Sequence, residues 1–159
     1  MRLILKRELI FPDAIHGKIY YRGVSVCCTL EKPGHTLPAG VYKLKFAKAD
    51  DEDEFLTGYL YRTHSNVRYS VCTMTRGNGV KNLNNCTIFI GKYQTRGLVI
   101  QGEKYLKHLN DFIITKRENE KESVKLKIVL AAQTEEKDNY KNLFYEPFQK
   151  FQTRRIHKK

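Results

Sequence analysis

A chain of 159 residues with 29 Lys and Arg against 17 Asp and Glu, a net charge of +12, is long enough for one domain with a real core and too short for two comfortable ones. A hydrophobic fraction of 41%, with 10 Tyr and 8 Phe, excludes a disordered chain, and 10 Gly and 4 Pro exclude a collagen-like or low-complexity one. The positive charge is spread along the chain. It points either to a polyanionic partner, such as nucleic acid or an acidic protein, or to a lysine-rich surface that keeps a β protein soluble and its edges unpaired.

The first 46 residues alternate like strands and turns. Leu3-Ile4-Leu5-Lys6-Arg7 opens with a short apolar run, which has neither the roughly 7–15 apolar residues nor the cleavage site of a secretory signal. No run approaches the roughly 20 residues of a membrane span. The chain is therefore expected to be cytoplasmic as synthesised, or carried within a particle such as a virion. Gly17-Lys18-Ile19-Tyr20-Tyr21 and Val24 to Leu30 flank Arg22-Gly23, the pattern of a tight hairpin. Cys27 and Cys28 are adjacent in the second of these runs and should face opposite sides. With Cys72 and Cys86 they suit free thiols, and the absence of a CxxC pair argues against a zinc site, so no metal and no cofactor is expected. Pro33-Gly34 and Leu37-Pro38-Ala39-Gly40 mark loops before the strand Val41 to Phe46.

Asp50 to Glu54 is a run of five acids without the spacing or the glycine of a calcium loop, and predicts a solvated loop. Val67 to Met74 and Thr87 to Ile90 predict strands, joined by a polar loop from Arg76 to Cys86 whose Gly and Asn residues tolerate positive φ. From Gly102 to Ile113, Tyr105, Leu109, Phe112 and Ile113 recur at helical spacing. A charged loop, Lys116 to Glu122, leads to an alternating strand, Ser123 to Leu130, that should close the sheet. The fold expected is mainly β (α+β): one β-rich domain over 1–132 with a single amphipathic helix near 102–113, followed by a C-terminal extension, 133–159. That extension mixes Tyr140, Phe144 and Phe148 with charges and ends in a basic cluster containing Arg154 and Arg155, while Pro147 interrupts any single long helix. It predicts either a segment packed back on the sheet or an arm docking on another protein.

The order of Arg7, Gly17, Thr29-Leu30-Glu31, Pro38, Gly40, Tyr42, Gly77-Asn78 and Ile90-Gly91 resembles a small uncharacterised domain family common in Bacteroidetes, phages and mobile elements. The likeness covers about residues 1–130. That family in turn looks like the L,D-transpeptidases, β-rich enzymes whose cysteine nucleophile is activated by a histidine, because a thiol of ordinary pKa needs such a neighbour to become a thiolate. Here the histidine of the family's I-H-x-G-N motif falls on Thr75, which cannot serve as a base. The cysteine falls on Cys86 or, with the gap placed differently, on Thr87. The resemblance thus implies a scaffold kept and a catalytic pair lost, with Cys86 and His64 the residues that would act if activity survived.

The function expected is a non-catalytic structural or adaptor component of a phage particle or similar assembly. It would bind other proteins through the tail (Tyr140, Phe144, Phe148, Arg154, Arg155) and through Arg76 and Asn78 of the Gly/Asn loop, with an oligomer possible in principle. The alternatives are a cysteine-dependent enzyme acting on peptidoglycan and a basic nucleic-acid-binding protein, the latter without a recognised motif.

Overall fold

Alternation of apolar with charged residues is the dominant pattern, and among the described residues it resolves into nine strands and one long helix. The computed structural model describes residues 1–48, 56–63, 69–83 and 85–130. In chain order these are β1 (Arg2–Ile10), β2 (Ile15–Tyr21), β3 (Val24–Glu31), β4 (Gly40–Lys48), β5 (Leu56–Arg62), β6 (Cys72–Arg76), β7 (Thr87–Thr95), β8 (Leu98–Ile100), α1 (Gly102–Lys116) and β9 (Lys125–Leu130). The acidic run 50–54, His64 and the tail positions Tyr140, Phe144, Phe148, Arg154 and Arg155 lie outside the described residues. No helix among the described residues is long and apolar enough to cross a membrane.

The strands form one sheet in the order β3-β2-β1-β9-β4-β5-β6-β7-β8, and β3 also pairs with β7. That last pairing, Cys28↔Gly91 through Leu30↔Phe89, turns the sheet into an eight-stranded ring with β8 hanging from β7 as a hairpin. Closure removes the free edges that would otherwise invite pairing with other chains. Two neighbouring pairs are parallel, β1 with β9 and β6 with β7. The alternating segment Ser123 to Leu130 predicts a strand that closes the sheet, and β9 forms over Lys125–Leu130. It lies between β1 and β4, where Leu126 and Ile128 are fully buried.

Inside the ring, Leu3, Leu5, Ile19, Cys27, Leu44, Leu60, Met74, Ile88, Ile90, Leu126 and Ile128 form the main core. Leu106, Leu109 and Ile113 of α1 join it, while Tyr105 and Phe112 flank this stripe half-buried. The helix therefore turns Leu106 inward more fully than the two aromatic residues that the spacing singled out. A smaller cluster of Ala14, Leu30, Leu83, Phe89 and Val99 covers the opposite face of β3 and β7. Of the strand expected over Val67 to Met74, Cys72–Arg76 form β6, residues 69–71 precede it with the Val71 N–H donating to the Leu60 carbonyl at 2.8 Å, and 67–68 lie outside the described residues. Its start is fixed by partners on both sides, Leu60↔Cys72 on β5 and Thr73↔Thr87 on β7, which local β-propensity cannot anticipate.

Candidate functional site

The parallel ladder of β6 and β7 carries the residues that matter most. Its register is Thr73↔Thr87, Met74↔Ile88, Thr75↔Phe89 and Arg76↔Ile90. Side chains alternate across a strand. Cys72 and Met74 face the main core together with Ile88 and Ile90, so Thr73, Thr75 and Thr87 share the other face, each half-exposed. Thr75 stands opposite Phe89, and Thr87 lies two residues, or roughly 7 Å, back along the neighbouring strand. Cys86 precedes β7 and belongs to the core-facing side. Of the two placements that the resemblance leaves for a cysteine, Thr87 shares the face of Thr75 and Cys86 does not.

Cys86 has a different company. Its thiol and that of Cys72 are hydrogen-bonded to each other. This bond holds the Cys86 thiol below the usual thiol range, with help from Arg7 and a backbone hydrogen bond at Leu37, against burial and the charge of Glu31. The same bond, then burial, pushes Cys72 far up. Arg7 and Glu31 are both inside the ring and pair bidentately, Nε to Oε1 at 3.0 Å and Nη2 to Oε2 at 2.8 Å. Such a fork is the strong form of a carboxylate–guanidinium contact. Arg7 Nη2 also donates to the Leu37 carbonyl at 2.8 Å, and the Tyr42 hydroxyl donates to the Pro38 carbonyl at 2.7 Å. Two side chains from two strands therefore clamp the 32–39 loop and present Leu37 to Cys86.

Gly17 makes room for this arrangement: a Cβ there would lie 2.5 Å from the Lys6 carbonyl and 2.8 Å from Thr29 Oγ1. Asn85, just before Cys86, has φ +51°, a left-handed backbone that Asn tolerates better than most residues. Arg7, Glu31 and Tyr42, far apart in sequence, thus converge near Cys86, while Gly17 packs against Thr29 and the Pro38 carbonyl against Tyr42. Sequence patterns singled out these positions without showing that they meet, and gave no sign that Cys72 is the partner of Cys86. Among the described residues, the groups that act on the Cys86 thiol are Cys72, Glu31, Arg7 and the Leu37 backbone.

Arg76 and Asn78 come together elsewhere. Arg76 lies opposite Ile90, four residues along β7 from Cys86. The two residues line an open cavity with Gln101, Glu103, Lys104 and Lys107 at the start of α1. Arg76 Nη1 donates to Glu103 Oε1 at 3.2 Å on the exposed rim, and the Asn78 carbonyl accepts the Val99 N–H at 2.9 Å. Three cations against one carboxylate make this rim basic. Among the described residues no three His, Cys, Asp or Glu side chains are grouped to hold a metal ion. No known protein family, curated protein or solved structure matches this chain.

Proposed function

We propose that the protein is a non-catalytic binding component of a macromolecular assembly, of the kind a phage particle represents, built on a scaffold like that of a cysteine acyltransferase. One observation carries the proposal: Thr75 on β6 stands where the resemblance asks for a histidine base. A threonine hydroxyl cannot take a thiol's proton at neutral pH. The rest of the motif, from Arg7 to Tyr42, serves the architecture of the ring. Binding would then fall to surfaces away from this face, the basic rim at Arg76 and Asn78 and the aromatic and basic extension 133–159.

Two measurements test this with the full-length chain. Incubation with peptidoglycan-derived muropeptides should give neither turnover nor an acyl adduct. Deleting 133–159 should abolish co-purification with the assembly while the β domain still unfolds cooperatively. An acyl adduct on Cys86 that disappears in Cys86→Ala overturns the proposal, and so does unchanged incorporation of the truncated chain. The first outcome would favour the second reading, a peptidoglycan-acting thiol enzyme, for which the low thiol pKa direction at Cys86 speaks.

A further inference from the structure

Cys72 opens β6 and Cys86 immediately precedes β7, each one residue before the Thr73↔Thr87 rung, and the Thr73 N–H donates to the Cys86 carbonyl at 3.4 Å. Neighbouring strands place such Cα atoms about 4.8 Å apart, inside the window of about 4.4–6.8 Å that a disulfide requires. Both thiols are free and lie on the same, core-facing side of the sheet. One is buried and the other half-exposed, so an oxidant can reach the pair through Cys86 alone. We propose that Cys72 and Cys86 form a redox-active dithiol that low-molecular-weight disulfides oxidise to an intramolecular disulfide stapling β6 to β7.

The division of labour follows from the surroundings. Cys86 is the attacking sulfur, because the Cys72 S–H, Arg7 and the backbone at Leu37 all favour its anion. It displaces one thiolate from the small disulfide and forms a mixed disulfide. Cys72 then attacks the Cys86 sulfur and expels the second thiolate, which leaves with the Cys72 proton. Two protein thiols are oxidised, and one small disulfide is reduced to two thiols. Cys27 and Cys28 offer no such pair: both are buried on opposite faces of β3, and burial pushes both thiols up. This inference does not depend on what the protein binds.

The test uses glutathione disulfide and the reduced full-length chain, quenched by alkylation and mapped with trypsin. Peptides 69–76 and 82–92 should become cross-linked, the intact mass should fall by two hydrogen atoms, and the free thiols should drop from four to two. In Cys72→Ser the glutathione should remain trapped on Cys86, and Cys86→Ser should not react. The oxidised wild type should also melt at a higher temperature than the reduced one. Glutathione accumulating on wild-type Cys86 without the cross-link overturns the proposal. Modification of Cys27 or Cys28 instead, or no reaction at all, overturns it equally, and the wild-type peptide map decides whether or not the variants fold.

Discussion

His16 is an imidazole with no exposed surface, held on β2 with its Nε2 accepting the Gly97 N–H at 2.8 Å. The rings of Phe11 and Tyr93 meet it edge-on, with centroids 6.4 and 4.7 Å away. Burial lowers its pKa from 6.5 to about 3, and the nearby Asp13 carboxylate opposes this only in part. The native state therefore keeps His16 neutral while the unfolded chain takes up a proton below pH 6.5. Stability falls as pH drops through the window from 6.5 towards 3, at about 1.4 kcal/mol per pH unit. Urea unfolding at pH 7 and pH 5 should differ by about 2 kcal/mol from this group alone. In His16→Gln, whose amide oxygen can accept from Gly97, that part of the difference should vanish. An equal pH slope in the variant would show that His16 is not its source. Nothing in the sequence marked this residue. Its strand is buried on both faces, from Ile15 to Ile19, so the alternation that betrays a half-exposed strand is missing there. Arg7 and Glu31 were visible as motif letters, yet their pairing across 24 residues is a tertiary fact.

The β2–β3 hairpin was legible because its turn chemistry is local. Arg22 and Gly23 have φ +50° and +82°, the double left-handed turn whose twist matches that of the flanking strands. A Cβ at Gly23 would meet nothing within 4 Å, so substitution there acts through the backbone alone. Gly23→Ala should lower stability by about 1–2 kcal/mol in chemical denaturation, and Gly23→Asn by visibly less. Equal losses for the two would point to a cause other than φ. β5 and β8 were not legible. Gly58 interrupts the alternation of β5 because Phe46, Met74 and Leu44 crowd to within 3.1–3.3 Å of where its Cβ would stand. β8 has three residues and exists through its pairing with β7 and the Asn78 carbonyl, neither of which local propensity encodes.

The whole molecule depends on pairings between distant segments. Arg2 stands opposite Lys125 and Arg7 opposite Leu130, so the first and last described strands are neighbours. On its other edge β9 pairs with β4 from Gly40 to Lys43. A helix between two strands suggests that the second extends the sheet, and only the packing of Leu126 and Ile128 beside Leu3 and Leu5 places it inside the ring. The β3–β7 closure is equally remote from local pattern, which is why strands were legible and the ring was not. The topology makes a sharp demand on chain length. Removing β9 deletes two fully buried side chains, each worth about 2–5 kcal/mol, and frees the facing edges of β1 and β4. Against a total stability of about 5–15 kcal/mol, that loss is too large to survive. A chain ending at residue 123 should lack a cooperative urea transition and show exposed apolar surface. One ending at residue 132 should unfold cooperatively, with native strand content by circular dichroism. A cooperative transition in the shorter chain would mean that the ring can close without β9, and that β1 and β4 meet directly.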